Sequence, residues 1–215
     1  MPLQNRVTPS GHIIATPERG TMMGIRGGCF HRDDKTLKAR HWASKRWICC
    51  VLEFKNRRRL LMRPRHYTEL FFLDEATAIS AGHRPCFECR RADATRFAEL
   101  WTRVQTRGEG RNRAMAGDMD DVLHRARLLK NGQPASWAGP IDRLPDGVFV
   151  RLDETPYLIL ANRLLPWSPA GYGSPIPRPT GASAALVPIL TPQIMIAVMD
   201  LGYRPQIHPS ALTAA

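Results

Sequence analysis

The chain has 215 residues, 43 % of them hydrophobic, which is ordinary for a folded protein and sufficient for one large domain or two small ones. Lysine and arginine outnumber aspartate and glutamate by 31 to 19, so the net charge is +12. No run of about 18 apolar residues predicts a transmembrane helix, residues 1–20 carry no apolar leader core, and five cysteines are too few for a disulfide scaffold.

The charge is lopsided. Residues 1–130 hold 26 basic against 14 acidic side chains, whereas residues 131–215 hold five of each. Only five of the 31 basic residues are lysines, and arginine forks suit bidentate phosphate and guanine contacts. A basic excess confined to one part of a chain points to a polyanionic partner.

In chain order, residues 1–28 read as an irregular arm dense in Pro and Gly, with one short strand over 12–15. Residues 46–55 alternate as a strand, with Ile48, Cys50, Leu52 and Phe54 on one face and Trp47, Cys49 and Val51 on the other. Residues 56–58 predict a turn, and Leu60 to Met62 a returning strand. Tyr67 to Leu73 is a third, aromatic strand. Asp74 is placed to cap a helix over 75–81 that stops at Gly82. Residues 92–104 predict a helix with Phe97, Leu100, Trp101 and Val104 on one stripe, and 118–129 another. Residues 148–152 and 157–160 predict a hairpin. A Pro/Gly loop at 167–180 carries an exposed-looking pair, Trp167 and Tyr172, and a last helix spans 193–201. These elements predict an α+β fold: a small mixed sheet bearing a Cys-x-x-Cys zinc knuckle with helices packed on it, plus a C-terminal hairpin and helix region. The expected divisions are 1–104, a polar linker with one helix at 105–147, and a neutral region at 148–215.

Cys86 and Cys89 form a Cys-x-x-Cys pair, the usual half of a tetrahedral zinc site. The odd cysteine count and this spacing favour a reduced, cytoplasmic compartment. For the other half, Cys29 ranks next, with His31, His66 and Cys50 as rivals for the last place. Cys50 also reads as a core thiol beside Ile48, Leu52 and Phe54. Asp120 and His124 are spaced i, i+4 on a helix and can touch. Asp33 and Asp34 beside His31 read as turn residues. Arg57, Arg58, Arg59, Arg63, Arg65, Arg84, Arg90 and Arg91 surround the pair in sequence, interleaved with Trp42, Trp47 and Tyr67. Arginine with aromatics suits phosphate contact and base stacking.

Residues 71–90 resemble the zinc-binding module of the Ada family of alkylation-response proteins. Phe71, Phe72, Ala78, Ala81, Gly82, Arg84, Pro85, Cys86, Cys89 and Arg90 fall on its pattern, while His83 stands where an aromatic is preferred. The likeness covers about a tenth of the chain. Upstream, Arg63 and Pro64 match. Met62 replaces the family's methyl-accepting cysteine and His66 replaces another cysteine. A thioether cannot serve as a thiolate nucleophile. The resemblance implies a zinc-stabilised nucleic-acid-binding protein, DNA favoured, without methyl-acceptor activity. The alternatives are a metal-dependent nucleic-acid enzyme using His31, His83, Asp120 or His124, and a protein-interaction module presenting Trp167 and Tyr172.

Overall fold

The computed structural model describes residues 1–57, 60–106, 114–129, 131–181 and 185–213. The chain is α+β, with two sheets and five helices among those residues. The first sheet uses β1 (Gln4–Val7), β2 (Ile13–Ala15), β3 (Met22–Arg26), β4 (Trp47–Val51), β5 (Leu70–Phe72) and β6 (Arg84–Pro85), in the order β2-β1-β5-β3-β4-β6. It is mixed, because β1 with β5 and β4 with β6 run parallel. Helix α1 (Glu75–Ser80) precedes β6, and α2 (Arg91–Thr106) and α3 (Ala116–Arg127) follow it.

The second sheet is antiparallel. It contains β7 (Trp137–Pro140), β8 (Phe149–Leu152), β9 (Thr155–Leu160), β10 (Arg163–Ser168), β11 (Gly171–Tyr172), β12 (Ile176–Pro177) and β13 (Leu186–Ile189). Its order is β11-β10-β9-β8-β13-β7, with β12 also on β10. The β8–β9 hairpin turns through Asp153 and Glu154, both at positive φ (45° and 65°), the handedness that a two-residue hairpin requires. Helices α4 (Gln193–Asp200) and α5 (Ser210–Thr213) close the chain.

Helix α1 lies where three apolar clusters meet. Its Ala78 packs with Val7, Phe30, Cys49 and Phe72 under the first sheet. Ile79 packs with α2, α3, α4 and the second sheet through Phe97, Trp101, Met119, Val150, Ile189 and Met195. Ala76 joins Phe149, Leu165 and Tyr172. All six residues of α1 are buried. A helix covered all round takes small side chains wherever neighbours crowd it, which accounts for the alanines.

Two expectations fail here. Residues 1–28 are not an irregular arm, because β1 and β3 lie inside the first sheet. Gly24 disguises β3: a Cβ there would lie 2.3 Å from the Ile48 carbonyl oxygen and 2.8 Å from the Phe72 ring. The glycine marks close approach to neighbouring strands, not a loop. The second failure is the return strand at Leu60 to Met62. β4 pairs with β3 and β6 instead. Lys55, Asn56, Met62 and Arg65 all take positive φ, which breaks an extended ladder.

Candidate metal centre

The pleat of β4 separates two adjacent cysteines. Cys49 points into the core and is fully buried. Cys50 projects from the other face, with Ile48, Leu52 and Phe54, into a cavity of about 560 Å³. β6 runs parallel to β4 in the register Ile48 to Arg84 and Cys49 to Pro85. The Cys86 N–H then donates to the Cys49 carbonyl at 3.0 Å, which sets Cys86 beside Cys50. The chain turns at once: Arg90 N–H donates to the Cys86 carbonyl (3.0 Å), and Glu88 N–H reaches the Cys86 sulfur (3.4 Å). Cys89 is thereby folded back toward both.

The sulfurs of Cys50, Cys86 and Cys89 lie within 4.8 Å of one another. Zn–S bonds of about 2.3 Å in a tetrahedron put sulfurs roughly 3.8 Å apart, so a small inward movement would close three corners of a site. Hydrogen bonding from Cys50 first, then Cys89, favours the Cys86 thiolate and holds its pKa far below the ordinary thiol value. Its hydrogen bonds to Cys86 and then Cys89, together with burial, push the Cys50 thiol upward. Thiols are soft donors, and three cysteines this close can hold a metal ion. Glu53, Glu69 and Glu88 line the same cavity.

The other ligand candidates lie elsewhere. The Cys29 sulfur is 3.8 Å from His31 Nδ1. Both His31 nitrogens are engaged, Nδ1 with the Thr68 hydroxyl (2.7 Å) and Nε2 with the Arg63 carbonyl (3.2 Å). His66 is exposed and bonds the Pro64 carbonyl and the Arg63 guanidinium. None of the three joins the sulfur group. The reading of Cys50 as a core thiol is corrected, since that role belongs to Cys49. Strand alternation separates the two cysteines, but only the β4–β6 register shows which faces Cys86.

Two of the arginines proposed to grip nucleic acid are interior struts. Arg84 makes a two-pronged ion pair with Asp120, at 2.8 and 2.9 Å, and its side chain is 3 % exposed. Arg90, 1 % exposed, pairs with Glu75 and Asp93, each at 2.7 Å. Guanidiniums held this way are unavailable to phosphate. Asp120 therefore does not orient His124, whose Nδ1 faces Arg127 instead. Arg57 pairs with Glu88 at the surface (2.9 Å), while Arg63, Arg65 and Arg91 are exposed. Arg58 and Arg59 lie outside the described residues. Asp34 is an exposed turn residue that accepts from the Thr36 N–H and hydroxyl. His83 is buried, and its Nε2 faces Arg26 Nε at 3.3 Å.

The acidic pair that opens α1 was legible only in part. Asp74 caps the helix through the Thr77 N–H (2.8 Å), and its other oxygen accepts from the Tyr172 hydroxyl (2.7 Å) and the His208 N–H (2.9 Å). Glu75 accepts from the Tyr203 hydroxyl (2.6 Å) and the Gln206 N–H (2.9 Å). Tyr172 is thus an anchor for the C-terminal segment and is buried, not a displayed aromatic. No described helix is long and apolar enough to cross a membrane. Comparisons with known protein families, with curated proteins and with solved structures gave no match.

Proposed function

We propose that this chain is a zinc protein that binds nucleic acid, DNA before RNA, with Cys50, Cys86 and Cys89 holding the metal. The observation that carries the reading is the convergence of three sulfurs from two segments of chain. Zinc suits three thiolates, and it would pin the 86–89 turn to β4. The Ada resemblance of residues 71–90 supports the same reading. Methyl transfer is excluded from it, because Met62 is a fully buried thioether. The polyanion partner is supported by the +12 charge and by the exposed Arg63, Arg65 and Arg91.

Elemental mass spectrometry tests the metal. One zinc per chain is expected in wild type, Cys29→Ser and His66→Ala, with loss in Cys50→Ser. Retention of zinc by Cys50→Ser would overturn the assignment. For the partner, DNA affinity should fall steeply between low and physiological salt, as phosphate-driven binding does; no binding at low salt would refute it.

A second reading is favoured by the cavity. The three sulfurs line it together with Glu53, Glu69 and Glu88, so a metal there would have a side open to a water molecule and carboxylates nearby as bases. A nucleic-acid hydrolase of this kind would lose activity in a Glu53→Gln or Glu69→Gln variant that keeps its zinc. Unchanged cleavage in both variants would exclude it.

A further inference from the structure

Four arginines are buried among the described residues: Arg26, Arg84, Arg90 and Arg127. Two carry the carboxylate partners that burial of a charge demands. Arg26 and Arg127 do not. Among the described residues, neither has a carboxylate within ion-pair distance, although they are only 3 % and 5 % exposed. Arg26 donates to the Gly11 carbonyl (2.9 Å) and toward His83. Arg127 donates to the carbonyls of Gly82 (2.8 Å) and Lys45, and its Nε has no acceptor among the described residues. Both guanidiniums stack on Trp47, with their carbons 4.0 and 3.8 Å from its ring centre.

These two side chains line a second cavity of about 550 Å³, separate from the one at the cysteines. His12, Arg40, His41 and Trp42 line it too, and no acidic side chain among the described residues does. The Trp42 indole N–H is buried without an acceptor among the described residues. Burial lowers the Arg26 pKa to about 9; burial and the repulsion of Arg26, offset only in part by the Asp120 carboxylate that Arg84 already holds, lower that of Arg127 to about 8. His41 is pushed down by burial, then by Arg26 and His12. His83, behind Arg26, is held neutral by its burial and by the two arginines. The region is thus short of negative charge, and a dianion supplies what it lacks.

We infer that this cavity binds a phosphate monoester, its phosphate received by Arg26 and Arg127 and the rest of the ligand lying along Arg40 and Trp42. The volume suits a nucleotide-sized molecule. The same chemistry is offered by a small phosphorylated compound and by the terminal phosphate of a nucleic-acid strand. An internal phosphodiester fits less well, because it carries one charge and enters with chain on both sides. The inference does not depend on a metal at the cysteines.

Isothermal titration calorimetry with inorganic phosphate, adenosine 5′-monophosphate, and one DNA strand bearing either a 5′-phosphate or a 5′-hydroxyl tests it. Saturable binding of a phosphate-bearing probe is expected. It should weaken about tenfold or more in Arg127→Met and severalfold in Arg40→Ala, in line with loss of a charge-assisted contact. Arg40 is exposed, so its variant keeps the fold if Arg127→Met does not. Preference for the mononucleotide assigns the ligand to small molecules. Preference for the 5′-phosphorylated strand over its 5′-hydroxyl twin assigns it to nucleic-acid ends. Absence of binding by every phosphate-bearing probe at millimolar concentration overturns the inference, as does unchanged affinity in Arg40→Ala. Equal binding of the two strands with no binding of the small probes also overturns it.

Discussion

Replacing Asp74 by alanine should cost the protein a large share of its stability. The carboxylate is fully buried, and its two oxygens accept from the Thr77 N–H and hydroxyl, the Tyr172 hydroxyl and the His208 N–H. Alanine leaves all four donors without that acceptor. Loss of an N-cap costs about 1 kcal/mol, and each buried orphaned donor about 1–3 kcal/mol. Because the donors share one partner the terms do not add fully, and the expected loss is about 4 kcal/mol. That is about a quarter or more of the roughly 5–15 kcal/mol typical of a folded chain. Urea unfolding followed by tryptophan fluorescence reads it as a lower midpoint. A double-mutant cycle isolates the long-range part: Tyr172→Phe should be much less harmful in the Asp74→Ala background than in wild type. A loss below about 1 kcal/mol in Asp74→Ala, or strict additivity of the two substitutions, would refute the view that this residue ties the C-terminal segment to α1.

Gly82 has φ of +80°, and a Cβ there would meet Arg127 Cδ at 2.7 Å. Gly82→Ala should therefore destabilise by more than about 1 kcal/mol, seen as a lower melting temperature, and an unchanged melting temperature would contradict this geometry. His83 has its pKa lowered well below the ordinary value by burial, then by Arg26 and Arg127. The unfolded chain then binds the extra proton first. Its contribution to stability is complete above about pH 6.5 and declines as pH falls below that value, by up to about 1.4 kcal/mol per unit. The pH 7.5 to pH 5 loss in urea unfolding should be smaller in His83→Gln than in wild type, and equal slopes would count against a buried neutral imidazole. Arg65→Ala should weaken DNA binding and reduce its salt dependence by about one phosphate contact, without changing the melting temperature. Arg84→Met should instead lower the melting temperature, because Asp120 is left buried and unpaired. A reversal of those two phenotypes would mean that the surface and interior roles have been exchanged.

Local signals carried the helices well. Asp74 as a cap, Gly82 as a stop and the apolar stripe of Phe97, Leu100 and Trp101 are statements about neighbours within four residues, and α1 and α2 follow them. β3 escaped because Gly24 removes the side chain that alternation needs. Its reason for being glycine, the carbonyl of Ile48 and the ring of Phe72, is 24 to 48 residues away. Several strands of the second sheet escaped because they are short and rich in proline and glycine, as in β11 and β12.

By itself the sequence determined that this chain is α+β, that its basic charge is concentrated before residue 131, that Cys86 and Cys89 share one turn, and that Cys49 and Cys50 face opposite ways. Those properties follow from periodicity, caps and spacing, which act over a few residues. Only the tertiary structure decided that Cys50 joins the pair while Cys29, His31 and His66 do not. It alone set Arg84 and Arg90 against buried acids and left Arg26 and Arg127 facing a cavity that no acidic side chain among the described residues lines. Every arginine carries the same charge and the same reach. Whether it meets a carboxylate, water or a cavity depends on strand register and helix packing between distant segments.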